Sequence, residues 1–206
     1  MKLTILGGGG FRVPLVYASL LADHAPGRVT QLRLYDNDRQ RLAAIGRVLT
    51  DQARGVLDAP TVTLHTDLPE ALAGTDFIFS AIRVGGVEGR ALDERLARKH
   101  RLVGQETVGA GGIGYALRGI PVVVELAKNI VKHAPNAWVI NFTNPAGVIT
   151  EVMSRYLGDR VIGICDSPIG LGRRGLTTLQ TAGLVAPDLT DIGRGGADVW
   201  IDYVGL

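Results

Sequence analysis

The stretch KLTILGGGGF, residues 2–11, runs from a short β-rich segment straight into four glycines, and residues 13–23 then carry apolar side chains at helical spacing. The chain therefore opens as strand, tight turn, helix. Gln31 to Tyr35 reads as a second strand closed by Asp36, and Arg39 to Ala53 as a helix with Leu42, Ile45, Val48 and Leu49 on one face. The same alternation continues outward. Strands are predicted at 61–65, 77–81, 138–141 and 161–165, and helices at 68–73, 92–100, 120–133, 148–157 and 171–181, with Pro121 in the first turn of its helix. Such alternation predicts an α/β fold: a doubly wound, mostly parallel, Rossmann-like sheet with helices on both faces and right-handed crossovers.

Composition narrows the function classes. With 206 residues, 46% hydrophobic and 20% charged, the chain can bury a sizeable core, which excludes disorder and predicts one large domain or a domain and a half. Lysine and arginine total 22 against 20 acidic residues, so there is no electrostatic footprint for nucleic acid or an anionic membrane. The single cysteine, Cys165, excludes an intramolecular disulfide framework and fits a reducing, cytoplasmic setting. The MKLTIL start is too short for a signal peptide, and no uninterrupted apolar run approaches the roughly 18 residues of a membrane helix. The 28 glycines gather at 7–10, 85–89, 104–114 and 193–196, and each set reads as a loop. Asp198 to Gly205 begins a new β-like run. Residues 1–195 are thus expected to form a dinucleotide-binding domain, with 196–206 opening a further C-terminal one.

Four places carry chemistry. At Gly7, Gly8, Gly9 and Gly10 the backbone can turn tightly and approach a pyrophosphate, which then rests on the free N–H groups at a helix start. Asp36 is placed to accept from a ribose diol, although it lies 26 positions beyond Gly10 where ~20 is usual, and the third glycine of GxGxxG is missing. An acid there favours NAD over NADP; the competing reading is a plain glycine turn. Asn144, in NFTNP, offers both a donor and an acceptor to sugar hydroxyls or a nicotinamide amide, or else caps a helix. Cys165 and Asp166 close a strand, as a soft metal ligand and a proton donor or as a small buried side chain and a cap. Arg83 and Arg90 suit bidentate capture of a phosphate, whereas Asp93 and Glu94 read as a solvated charged face; the four histidines read as surface or structural.

Together LTILGGGGFRVP, VGGVEGRALDE, GQETVGAGGIGYALRGIPVVVELA, NFTNPAGVITE, VIGICDSP and DYVGL resemble glycoside hydrolase family 4, the NAD- and manganese-dependent phospho-glycosidases, most of all its 6-phospho-β-glucosidases. The resemblance implies that Gly7 to Gly10 with Phe11 and Asp36 hold NAD. It further implies that Arg90 binds substrate, plausibly its 6-phosphate, that Asn144 binds substrate hydroxyls, and that Cys165 ligates Mn2+. Asp166 matches the proton donor of the family's phospho-α-glucosidases, where many phospho-β members carry asparagine. Glu106 matches a position that raises the basicity of a catalytic tyrosine. That tyrosine and a histidine metal ligand are expected beyond Leu206, since family chains are about twice this length; this chain alone is therefore expected to be inactive. The implied partner is a 6-phospho-glucoside or phosphorylated disaccharide, and the full-length protein is expected to be a homo-oligomer. The implied mechanism is oxidation at sugar carbon 3, proton loss at carbon 2 and elimination of the aglycone, unlike the two-carboxylate hydrolysis of most glycosidases. Two alternatives stand beside it: a 2-hydroxy acid dehydrogenase of the lactate and malate type, and a non-catalytic NAD-binding module.

Overall fold

The computed structural model describes residues 1–190 and the backbone of two short strands at 192–193 and 199–200. Contacts divide the chain into a unit of Met1–Ile164 and one of Cys165–Leu206, taken separately here. The boundary expected at residue 195 lies outside the described residues.

The first unit alternates β1 (Lys2–Leu6), α1 (Val13–Leu21), β2 (Gln31–Tyr35), α2 (Arg39–Gln52), β3 (Thr61–His65), α3 (Leu68–Leu72), β4 (Phe77–Ser80), α4 (Gly86–Lys99), α5 (Gly109–His133), β5 (Trp138–Asn141), α6 (Ala146–Leu157) and β6 (Val161–Gly163). All six strands are parallel, in the order β3-β2-β1-β4-β5-β6. This is the doubly wound sheet that the alternation predicts. Its strand order reverses between β1 and β4, where such sheets open a ligand crevice beyond the strand C-termini.

The period-two pattern of β1 explains why it sits in the middle. Leu3 and Ile5 join the core on one face with Val13, Tyr17, Leu32, Leu34, Leu42 and Leu49. Leu6 points the other way, into a core built with Val123, Leu126, Ile130, Ile149 and Met153. A strand buried on both faces needs apolar side chains at almost every position, which is how KLTIL reads. Its exception, Thr4, is fully buried and satisfied, its hydroxyl donating to Ala71 O at 3.0 Å and sharing a hydrogen bond with the Thr75 hydroxyl at 2.8 Å.

Two helices of this unit begin more than one turn earlier than the sequence suggests. α4 starts at Gly86 instead of Leu92, after Gly85 in a left-handed conformation (φ 83°). α5 starts at Gly109 instead of Ile120, so Pro121 lies in the interior of a 25-residue helix. Glycines at 86, 89, 109, 111, 112 and 114 are therefore helical and not loop residues. At two of them close approach is the reason: a Cβ on Gly112 would lie 2.6 Å from the Thr107 carbonyl, and one on Gly111 would run into Gln105 O. α5 also has the length and mean hydropathy of a membrane-crossing helix, although Arg118, Glu125 and Lys128 interrupt it, so it is not the uninterrupted apolar run whose absence the sequence shows. Its buried face packs in the core beside the sheet, and a core helix passes the same test.

The second unit carries α7 (Ser167–Thr181) and the parallel pair β7 (Ile192–Gly193) and β8 (Val199–Trp200). α7 starts four residues before the predicted 171, and β6 ends two before the predicted 165. Of the β-like run at 198–205, only Val199–Trp200 falls among the described residues.

Candidate functional site

The glycine turn leaves β1 at the switch point. Gly7 N and Gly8 N both donate to Tyr35 O, at 3.0 and 2.8 Å, and Gly10 N closes back on Gly7 O at 2.9 Å. Three of the glycines are demanded by contact: a Cβ would lie 2.7 Å from Ala81 O at Gly7, 2.7 Å from Leu34 Cβ at Gly8 and 2.8 Å from Arg41 Cβ at Gly9. Gly7 also adopts φ 91°. The turn ends at α1, whose start has no side-chain cap and holds Pro14, so no side chain occupies the positive end of the helix. The Phe11 N–H has no acceptor among the described residues, and the Phe11 ring is 81% exposed.

Asp36 does more than the sequence indicates. Its Oδ2 accepts from Gly9 N at 2.8 Å and its Oδ1 from Asp38 N at 3.0 Å, so the carboxylate holds the turn in shape. Each oxygen keeps a second lone pair for a ribose hydroxyl. An uncapped helix start, an unpartnered N–H, side-chain-free backbone and an anchored acid together fit a dinucleotide pyrophosphate and ribose.

Two more strand ends border the crevice. At the end of β5, Asn141 is fully buried and ties the following loop to α6: Nδ2 donates to Thr143 O at 3.2 Å and to Thr150 Oγ1 at 3.1 Å, while Oδ1 accepts from Thr143 N at 3.1 Å. Thr143 Oγ1 in turn accepts from Ile82 N at 3.1 Å, tying this loop to the end of β4. Asn144 is half-buried, makes no side-chain hydrogen bond among the described residues and does not cap α6. It is the asparagine left available for a ligand. The Arg12 guanidinium lies 5.5 Å from the Phe11 ring and 5.1 Å from the Phe142 ring, joining the glycine turn to this loop.

Beyond β4 the chain gathers charge. Glu106 receives Arg83 Nη2 at 2.6 Å on one oxygen and lies 3.1 Å from Arg90 Nη1 on the other. The Arg90 Nη1 atom is buried and directs no hydrogen bond at that oxygen, while its Nε donates to Glu94 at 2.7 Å. Arg83, Val87, Arg90 and Glu106 line a cavity of about 320 Å³. Tyr115 is buried beneath, with the Arg83 and Arg118 guanidiniums 5.5 and 5.3 Å from its ring. Burial raises its pKa above the usual tyrosine value, partly offset by the Arg83 charge, so the phenol stays protonated in the physiological range.

Asp93 corrects the sequence reading. It is not on a solvated face: its side chain is 6% exposed and takes a bidentate pair from Arg118 at 2.9 and 2.7 Å. Sequence reasoning missed Arg118 and Tyr115. The available signal was one arginine within the otherwise apolar run GIGYALRGIPVVV.

In the second unit, Cys165 is exposed, with Sγ 3.5 Å from Ser167 Oγ, and so is not a small core residue. Asp166 takes the N-cap position of α7 without a capping hydrogen bond. Among the described residues no three His, Cys, Asp or Glu side chains converge as a metal site. Cys165 is one thiolate donor, which suits a transition metal only in company with further ligands.

The fold is that of a Rossmann-like NAD-binding unit, with an arginine–carboxylate cluster beyond β4. The family 4 glycosyl hydrolase model matches residues 2–180, and the chain belongs to that family. It is 40% identical over 176 residues to 6-phospho-alpha-glucosidase 1 of Lacticaseibacillus paracasei, covering 82% of this chain and 39% of that protein. It is 37% identical over 176 residues to the 6-phospho-beta-glucosidase of Escherichia coli, covering 83% and 39%. The 6-phospho-beta glucosidase of Thermotoga maritima, solved with manganese, NAD+ and glucose-6-phosphate, superposes with TM-score 0.79 at 30% identity, covering 87% of this chain and 44% of that one. The chain thus spans about two-fifths of the length of the relatives it matches.

Proposed function

We propose that the gene product carrying this chain is a cytoplasmic, homo-oligomeric 6-phospho-glucosidase that works with NAD and Mn2+. The observation that carries this reading is the meeting of two strand ends, β1 with its glycine cradle and β4 with its arginine-carboxylate cluster, at one switch point. Gly7 to Gly10 and the Phe11 N–H would hold the pyrophosphate, and Asp36 the ribose. Arg90, which lines the cavity with Arg83, would take the 6-phosphate. Asn144 would orient the ring hydroxyls. When bound, the dinucleotide supplies a reversible two-electron acceptor and the metal a Lewis acid. Cys165 offers that metal a thiolate, and Asp166 would give its proton to the departing aglycone oxygen. A 2-hydroxy acid dehydrogenase would have no use for Cys165 or for the GQET block.

The β-linked glucoside is the first reading, on the resemblance of the sequence blocks. An α-linked one is favoured by a specific residue, the carboxylic acid at Asp166. Nitrophenyl 6-phospho-α- and β-glucosides, given to the full gene product, decide between them. Faster release from the β-anomer is expected; faster release from the α-anomer transfers the assignment to the α-substrate, and no release from either overturns the phospho-glucosidase reading.

A further inference from the structure

Glu106 and its two arginines come from three different segments, so something must hold them in register. Arg83 sits in the turn after β4, Arg90 on α4, and Glu106 ahead of α5. Arg118, on α5, reaches the first two of these. Its Nε donates to Val84 O at 3.0 Å, one residue beyond Arg83. Its two terminal nitrogens donate to Asp93, three residues beyond Arg90 and so on the neighbouring turn of α4. Both cation–ring contacts of Tyr115 are made by Arg118 and Arg83, so the two guanidiniums share one aromatic support.

The surrounding glycines are fitted to this guanidinium. A Cβ on Gly85 would lie 2.7 Å from Arg118 Nε, and one on Gly89 would lie 3.1 Å from Cζ. Lysine cannot replace the arrangement. Its single nitrogen can meet a carboxylate, but it cannot donate to Val84 O and to both Asp93 oxygens through one rigid plane.

We propose that Arg118 is a positioning residue for the substrate-phosphate site: by clamping Val84 and Asp93 it sets the spacing between Arg83 and Arg90. This rests on the phospho-glucosidase reading. Arg118 itself touches no ligand; its effect passes through the two arginines, so it governs how well the phosphorylated sugar binds.

The test is Arg118→Lys in the full gene product, with NAD and Mn2+ supplied. The KM for the nitrophenyl 6-phospho-glucoside should rise at least tenfold, with kcat within threefold and NAD affinity within twofold of wild type. A KM within twofold overturns the inference, and so does a loss of NAD affinity in proportion to KM, which would mark general loosening. Should Arg118→Lys fail to fold, Gly89→Ala takes its place. It favours the helix and keeps both Arg118 and Asp93 in the chain, but its Cβ, 3.1 Å from Arg118 Cζ, displaces the guanidinium from its partners, so the same KM rise is expected and an unchanged KM overturns the proposal. If the wild type releases nothing, the phospho-glucosidase reading falls and this inference with it; if the wild type is active and neither variant moves KM, this inference alone falls.

Discussion

Gly7→Ala is expected to abolish NAD binding and to destabilise the first unit by about 2–4 kcal/mol. Two effects add at this position. The residue adopts φ 91°, where an L side chain is strained, and its Cβ would lie 2.7 Å from Ala81 O. That carbonyl cannot retreat cheaply, because Ala81 N is bound to Leu6 O at 2.9 Å just past the end of β4, and Ile82 N, in the carbonyl's own peptide group, donates to Thr143 Oγ1 at 3.1 Å. The turn would move instead, carrying Gly8 away from Tyr35 O and Gly9 away from Asp36. Gly27→Ala separates the two effects, since Gly27 has φ 80° with nothing within 4 Å of the added carbon. It should cost only the strain, about 1 kcal/mol, and leave NAD binding unchanged. Urea melts with calorimetric NAD titration check both; a Gly7→Ala protein that binds NAD within threefold of wild type would contradict the cradle.

Arg90→Ala should reduce kcat/KM for the 6-phospho-glucoside by about a hundredfold, from the ~3 kcal/mol lost when a phosphate loses a charge-assisted partner. Most of the effect should lie in KM. NAD affinity should hold within twofold, since the glycine cradle belongs to β1 and Arg90 to α4. Stability should change little, because the Arg90–Glu94 pair spans one turn of a partly exposed helix face. Steady-state kinetics with parallel NAD titration provide the check. An unchanged KM would move the phosphate away from Arg90 and leave the Arg90–Glu106 pair as scaffolding.

How far the fold could be read from sequence depended on whether the signal was local. Strands such as Lys2–Leu6 and Trp138–Asn141 announce themselves by apolar runs between turns, and their bounds agree with the structure. α5 did not, because Gly109 to Gly114 has loop composition and Pro121 suggests a first turn. Gly111 and Gly112 answer a tertiary demand, contact with the 105–107 backbone, which no local pattern reveals. The site divides the same way. Gly7 to Gly10 and Asp36 were legible because strand, turn, helix and acid follow in order. Asp93 was not: its charge reads as solvated until Arg118, 25 positions away, arrives to neutralise it. Asn141 and Asn144 look alike in sequence, yet two hydrogen bonds to its own loop and one to Thr150 of α6 make the first structural and leave the second free for a ligand.

Release of nitrophenol from a 6-phospho-glucoside by the full gene product, with NAD and Mn2+ each present or omitted, tests the central claim most directly. The account predicts release only when both are present, dependence on the 6-phosphate, and no net accumulation of NADH. Release that is indifferent to NAD, or NADH accumulating on 2-hydroxy acids with no glycoside cleaved, would contradict it.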